Sequence, residues 1–371
     1  MSETTDLATA TVPEHQPTLT DDPHENTAIL RELLATATPG RIHVAAGRHP
    51  LAEGLVLTDG WSLHGPPGGL PRATLAQVEP VEQPFVHILG SRCSISDLRL
   101  ELPAAYPGPH DGDRWTAVTV GQYLYPATAD WLADVSLQRI HVLRAGRCAA
   151  NSIAVMGAVR RIHLAEVHVS GGGTGVAAHW GAPGESVDDL TGPTYHPHQL
   201  TIEDLYVRKA FEGFYLSSVH DVTVERARMS GVEIGFRLLP GDNTDRFHES
   251  PGESQVSSRI SVSDCEIGWI GGLYALRVAG WGQSEVDSEI SQLDYRDLTI
   301  SDIVVHPWPQ PDAEATEGRA AVVVENAGRV AFHRIGLASS TDVVPVRLDG
   351  EELPLSSLTD AVDRMSRQGD R

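Results

Sequence analysis

Lysine is almost missing from this chain: Lys209 is the only one among 371 residues, and Lys plus Arg number 28 against 50 Asp plus Glu. A formal net charge of −22 excludes nucleic acid and anionic membrane as bulk partners. A single lysine leaves Arg, His or Tyr as bases for any acid–base chemistry. Cysteine is scarce as well. Cys93, Cys148 and Cys265 are an odd number, and Cys93 and Cys265 fall on inward positions of the pattern described below, so they read as buried thiols and not as a disulfide frame or metal site. No apolar run approaches the roughly 18 to 20 residues that span a bilayer. The opening MSETTDLATATVPEHQP has neither a basic start nor an apolar core, so a cytoplasmic location is expected, or secretion if the N-terminus was trimmed.

What the chain does have is a repeat. In LTIEDLYVRK, residues 200–209, apolar Ile202, Leu205 and Val207 alternate with polar neighbours and Asp204 breaks the alternation. The pattern is a strand, a one-residue corner and a second strand. It recurs as SISDLRLE at 94–101, RIHLAEVHVS at 161–170, VTVERARM at 222–229, ISVSDCEI at 260–267, LTISDIVV at 298–305 and VAFHRIGL at 330–337. The corners Asp97, Arg139, Glu166, Asp204, Arg226, Asp264, Asp302 and Arg334 are 42, 27, 38, 22, 38, 38 and 32 residues apart. A coil of about 22 residues is therefore the bare unit, and longer intervals carry insertions. A third strand follows each pair, at 117–120, 152–156, 175–180, 213–218, 232–239, 273–279 and 321–326. Long insertions follow it at about 121–134, 181–198, 240–258 and 280–296, and two more precede it at 102–114 and 306–319. The third-strand sheet is thus expected to be the floor of a groove walled by loops.

Residues 1–25 are polar and interrupted by proline, which predicts a disordered tail. Asn26 is the expected N-cap of TAILRELLATA, whose Ile29, Leu30, Leu33 and Leu34 share one face, and Pro39-Gly40 stops this helix. It would cover the open end of the first coil. RIHVAAGRHPLAEGLVLTDGWSLHGPPGG then alternates like strands, with Gly47, Gly60 and Gly65 as corners, and SSLTDAVDRMSRQ reads as a short C-terminal helix. A helix leading into a strand that ends in an Ala-Gly turn, then a strand that ends in His-Gly, resembles the first coil of the right-handed parallel β-helix proteins, the pectate-lyase-like superfamily. With the repeats, the resemblance covers roughly residues 26–340. It implies an all-β chain: a right-handed parallel β-helix solenoid of about 8–10 coils, with an N-terminal capping helix and a short C-terminal helix. The expected division is a tail at 1–25, one β-helix domain at 26–345 and a helical appendage at 346–371.

If Val176/Ala178, Phe214/Leu216, Ile234/Phe236, Leu276/Val278 and Val322/Val324 point inward, His179, Tyr215, Ser217, Arg237, Arg277 and Glu325 line the floor. His179, Tyr215, Arg237 and Arg277 are the catalytic candidates: two arginines to hold a carboxylate, and an imidazole or phenol to move a proton. Ser217 and Glu325 are candidate substrate contacts. So are Tyr195, His196 and His198 in the insertion GAPGESVDDLTGPTYHPHQ, and Asp242, Asp245 and His248 in PGDNTDRFHESPGESQ. Of the tryptophans, Trp131, Trp180, Trp269, Trp281 and Trp308 suit stacking on a sugar ring, with Trp180 and Trp281 the better placed because they stand where floor strands end. His43, His87, His163, His220 and His333 fall on exposed strand or turn positions.

Asn243-Thr244-Asp245 matches the first motif of the polygalacturonases, but the Asp-Asp, Gly-His-Gly and Arg-Ile-Lys segments that follow in that family are lacking after residue 245. The pectate lyase segments Trp-Ile-Asp-His and Arg-x-Pro-x-x-Arg are lacking too. No metal site is assigned and no cofactor is required, though the loop carboxylates leave room for the Ca²⁺ that lyases of the superfamily often use. The expected activity is carbohydrate chemistry of lyase or epimerase type on a small-molecule or oligosaccharide substrate. Two alternatives stand beside it: an intracellular cyclase, dehydratase or isomerase of a small biosynthetic intermediate, and a non-catalytic carbohydrate-binding β-helix.

Overall fold

The eight corner residues named above all take positive φ, between 50° and 57°. One left-handed residue turns the chain between two extended strands, at a cost of roughly 1–2 kcal/mol for an L-residue that the ladders on either side offset. A second left-handed row, Arg92, Asp134, Arg161, Gln199, Asp221, Arg259 and Asp297, stands five residues ahead of the first seven of these corners. Both rows carry ion pairs from coil to coil. Arg139 grips Asp97 at 2.8 and 3.0 Å, Arg226 grips Asp204 at 2.9 and 3.0 Å, and Arg161 grips Asp134 at 2.6 and 2.9 Å.

The computed structural model describes residues 12–68, 70–103, 115–125, 130–186, 189–239, 257–270, 274–280, 296–308, 319–325, 327, 330–338 and 344–362. Within them the strands of successive coils pair in parallel. Leu200, Val222, Ile260, Leu298 and Val330 form one continuous rung through the first strands. The third strands make a sheet of eleven, from Leu55–Leu57 to Glu351–Leu353, and only the last is antiparallel, so the solenoid has ten coils there. Thr174–His179, Glu212–Ser217, Ile234–Leu239, Tyr274–Ala279 and Ala320–Glu325 lie within a residue or two of where alternation puts them.

One apolar core runs the length of the solenoid. Val176, Ala178, Phe214, Leu216, Phe236, Leu276, Val278, Val322 and Val324 are all fully buried, and the Phe214 and Phe236 rings stack 4.6 Å apart. Each such phenyl contributes on the order of 2 kcal/mol by leaving water. Trp269, expected as a sugar contact, is fully buried in this core and donates its indole N–H to the Glu233 carbonyl. Cys93 and Cys265 are buried as expected, and burial pushes their thiols up to about 11 and about 12.

Both ends differ from the sequence expectation. Glu14–His15 pairs with Arg41–His43, so ordered structure begins inside the segment expected to be a disordered tail. The helix spans Pro23–Thr36, and its cap is Asp22, not Asn26. The Asp22 carboxylate accepts from the backbone N–H of His24 and Glu25, while Pro23 fills the first turn, where a missing donor costs nothing. Asn26 is fully buried instead and donates to the carbonyls of Thr20 and Pro50, which ties the helix to the first coil. At the other end Val344–Leu348 joins the third sheet and folds back on Glu351–Leu353, so the sheet runs past residue 345. Leu358, Ala361 and Val362 close the core there. No helix among the described residues is long and apolar enough to cross a membrane.

Candidate functional site

On the outward face of the third sheet the register places Ala177, Tyr215, Arg237, Arg277, Val323 and Arg347 in one ladder, one residue per coil. Beside it, two positions further along each strand, lie His179, Ser217 and Glu325. The floor strands therefore bring together all six residues that alternation assigns to them. Arg237 sits over Tyr215, with its guanidinium carbon 4.4 Å from the ring centroid, so cation–π attraction fixes both side chains.

A residue missed by sequence reasoning anchors this pair. Glu212 starts the strand that carries Tyr215, and its carboxylate takes Arg237 Nε at 2.8 Å and Nη2 at 2.9 Å while Thr174 Oγ1 donates to it at 3.0 Å. Only 1% of its side chain is exposed, against 35% for Arg237. Burial pushes the Glu212 carboxyl above the ordinary carboxylate range, against the pull of Arg237. Burial likewise opposes the charge on Arg237, but the Glu212 carboxylate outweighs it and raises the guanidinium. The signal in the sequence is a lone glutamate directly ahead of an inward strand, and its partner two dozen residues away is legible only once the coils are in register.

Arg277 repeats the arrangement one coil on. Its Nε and Nη2 reach Glu325 Oε2 at 2.8 and 2.7 Å, and its guanidinium lies 5.6 Å from the Tyr274 ring. Burial works against its charge here too, and Glu325 again prevails to raise it. The floor thus carries a row Glu212, Arg237, Arg277, Glu325, with two guanidiniums side by side on adjacent coils and a carboxylate behind each.

His179 closes one end of this floor. It is nearly buried, edge-on to Tyr123 at 5.0 Å and 6.3 Å from Tyr215. Its Nδ1 lies 2.9 Å from the Trp180 carbonyl, which can only accept, so Nδ1 carries the proton and Nε2 is the basic nitrogen of the neutral ring. Ser217 is buried against Ser218. Trp180, expected to stack on a ligand, packs with Ala182 and Leu190 in the groove wall, where Leu124–Tyr125 pairs with Ala182–Pro183.

Tyr195, His196 and His198 lie in the same wall and are buried, with Trp131 stacked on His198 at 4.9 Å. His196 bonds through Nδ1 to His220 Nε2 at 3.0 Å, and His220 Nδ1 meets Ser258 Oγ at 2.8 Å. His220 is fully buried, which corrects its reading as an exposed strand residue. Burial first, then its neighbours His196 and His198, hold it down to about 2. Burial first likewise holds His198 down to about 4, and among the described residues no group of three or more His, Cys, Asp or Glu is placed to hold a metal ion. Asp242, Asp245, His248 and Trp281 lie outside the described residues.

With parallel coils, one-residue left-handed corners and a capping helix in place, solved structures can be compared as wholes. A 1,3-α-1,4-β-D-galactose-4-sulfate-3,6-anhydro-D-galactose-2-sulfate 4 galactohydrolase matches over 93% of this chain and 92% of its own, with a TM-score of 0.51 at 9% identity. PfbA, a surface adhesin of Streptococcus pneumoniae, matches over 88% and 90%, with a TM-score of 0.50 at 10% identity. The fold is the right-handed parallel β-helix. An Acinetobacter phage tailspike matches over 92% of this β-helix but 64% of the tailspike itself, with a TM-score of 0.47 at 8% identity. At such identities the likeness is one of fold. No family model matches the sequence, and no curated protein matches it.

Proposed function

We propose that this β-helix is a carbohydrate-active enzyme that moves a proton next to a sugar carboxylate in the third-sheet groove. The observation that carries the reading is the row Glu212, Arg237, Arg277, Glu325. The backing carboxylates fix both guanidinium planes, and the row has no net charge until an anion arrives. A uronate carboxylate held across the two arginines would gain negative charge as the neighbouring C–H bond breaks, and positive groups already in place would stabilise it. Tyr215 and His179 Nε2 are the groups that exchange protons.

In elimination the base takes the proton from C5, the C4–O4 bond breaks as a C4–C5 double bond forms, and the departing oxygen receives a proton. In epimerisation the proton returns to the opposite face of C5 and every bond to oxygen survives. Hydrolysis is less well served, because it needs two carboxyl groups roughly 5–9 Å apart across the scissile bond and both carboxyls of this row are held by arginines. A structure of this fold whose name is that of a galactohydrolase supports a carbohydrate substrate.

The test is to incubate the protein with oligouronates of both C5 configurations, following the ultraviolet absorbance of an unsaturated uronate for elimination and the proton spectrum for epimerisation. Product with either series, lost in Arg277→Leu, is expected, and it should survive EDTA. Absence of product from all uronates overturns the proposal and turns attention to small biosynthetic intermediates.

A further inference from the structure

A second groove, enclosing about 750 Å³, lies on the face made by the second strands. Its floor is one ladder in register across six coils: Arg99, His141, His168, Tyr206, Arg228 and Glu266. The His141 and His168 rings are 4.5 Å apart, and His168 stacks on Tyr206 at 4.7 Å and 13°. Because the rings use their faces on one another, their edges meet the groove: imidazole nitrogens and a phenol hydroxyl, one set per coil. Burial and the neighbouring His168 hold His141 down to about 4, so its ring is neutral at pH 7 and offers one donor and one acceptor.

Arg208, from the adjacent ladder, adds a third guanidinium and donates to Ser170 Oγ at 3.2 Å. Among the described residues Arg99 comes no nearer than 3.9 Å to Glu101, and Arg228 no nearer than 4.0 Å to Glu266. The wall is Trp308, 45% exposed, with its backbone N–H anchored to the Trp269 carbonyl at 2.8 Å. Its indole lies over Gly231 and Gly268, where an added Cβ would stand 3.8 and 3.3 Å from the ring. Three arginines and one glutamate line the groove of a chain whose net charge is −22.

We propose that this groove binds a linear oligouronate, laid along the solenoid axis with one sugar per coil. The rise of about 4.8 Å per coil is close to the length of one pyranose. Arg99, Arg208 and Arg228 take its carboxylates, the histidine and tyrosine edges take its hydroxyls, and Trp308 covers one sugar face. The inference does not depend on any reaction at the third sheet.

The experiment is titration calorimetry of Arg277→Leu, which disables the other groove, with oligogalacturonates and oligomannuronates from two to eight sugars. Affinity should rise with length, level off near six sugars, matching the six coils of the ladder, and weaken as salt is added. Adding Arg99→Gln and Arg228→Gln should weaken binding at least about tenfold with the melting temperature unchanged. Trp308→Ala should weaken the neutral contribution that survives in high salt. The proposal is overturned if neither series binds, if the double arginine substitution binds as tightly as its parent, or if polyglutamate of equal charge binds equally well.

Discussion

The third-sheet floor and the second-strand groove are made by the same coils, yet they hold their arginines in opposite ways. On the floor Arg237 and Arg277 each close on a glutamate at 2.7–2.9 Å, whereas Arg99 and Arg228 in the other groove have no carboxylate nearer than 3.9 Å among the described residues. A paired, half-buried guanidinium has a fixed plane and little charge to spare, which suits stabilising a charge that develops only during a reaction. A loosely paired one on an open face, its carboxylate 3.9–4.0 Å away, has charge left to attract an anion that is already charged. The same residue type in the same ladder geometry is thus held in two ways, and position opposite does not decide it: Glu266, directly opposite Arg228, stays 4.0 Å away, whereas Glu212 and Glu325, which lie off the Arg237–Arg277 ladder, close on their arginines.

Glu212→Gln is the most direct way to break that contrast. It leaves Arg237 without its counter-charge beside a nearly sealed site. Loss of one partner from a fully buried pair typically costs 3–5 kcal/mol, and because Arg237 is 35% exposed we expect about 2 kcal/mol, visible as an earlier urea midpoint. Activity on a uronate should fall by two orders of magnitude or more, since the guanidinium loses its orientation. A Glu212→Gln protein with unchanged stability would show that the floor pairs resemble ordinary surface pairs. Arg277→Leu is milder for folding, because Glu325 is 37% exposed and can rehydrate, so kcat/KM should drop about a hundredfold while the melt moves little.

Most of the scaffold was legible because a β-helix writes its geometry into sequence period. Asp204 interrupts an alternation, and only a corner explains that; all eight such positions are left-handed. The second row, from Arg92 to Asp297, carried a signal too, its constant five-residue lead, but polar residues at a strand start look like any loop. Asp22 went unread as a cap although Pro23 follows it, because Asn26 also fits the rule and only packing against Pro50 separates them. Glu212 and His220 are defined by partners 25 and 24 residues away. Tyr206 and Arg208 stand outward on what reads as pure scaffold, so the second groove emerges only when six coils are stacked.

The wall histidines offer a comparison within the first groove, since burial is the largest influence on His198 and His220. His220 stays neutral when folded, while an imidazole of the unfolded chain takes up a proton below its ordinary value of about 6.5. The unfolded state then binds more protons, so the His220 contribution is complete above that value and is lost as pH falls towards about 2. At pH 5 the loss from this group alone should be about 2 kcal/mol, read as the shift in urea stability between pH 7.5 and pH 5. His220→Gln should flatten that dependence. If the substituted protein keeps the full acid sensitivity, the buried imidazole is not its source.

The smallest effect belongs to the corners. Arg139 holds the Asp97 carboxyl below the usual carboxylate range through a bidentate hydrogen bond, yet 37% of the arginine side chain faces solvent. The Asp97 carboxylate that Arg139→Gln leaves behind is only 7% exposed, but the glutamine amide and water at the vacated arginine position can serve it, so the change should cost about 1 kcal/mol, and the left-handed conformation of Asp97 should persist because the strands on either side impose it. Double-mutant cycles of Arg139→Gln with Asp97→Asn, set beside Arg237 with Glu212, compare like chemistry at two depths. Coupling several times larger in the second pair means that burial, not geometry, separates floor from corner. Equal coupling would mean that the corner ladders clamp the coils as firmly as the floor does, and the division between scaffold and site would have to be drawn elsewhere.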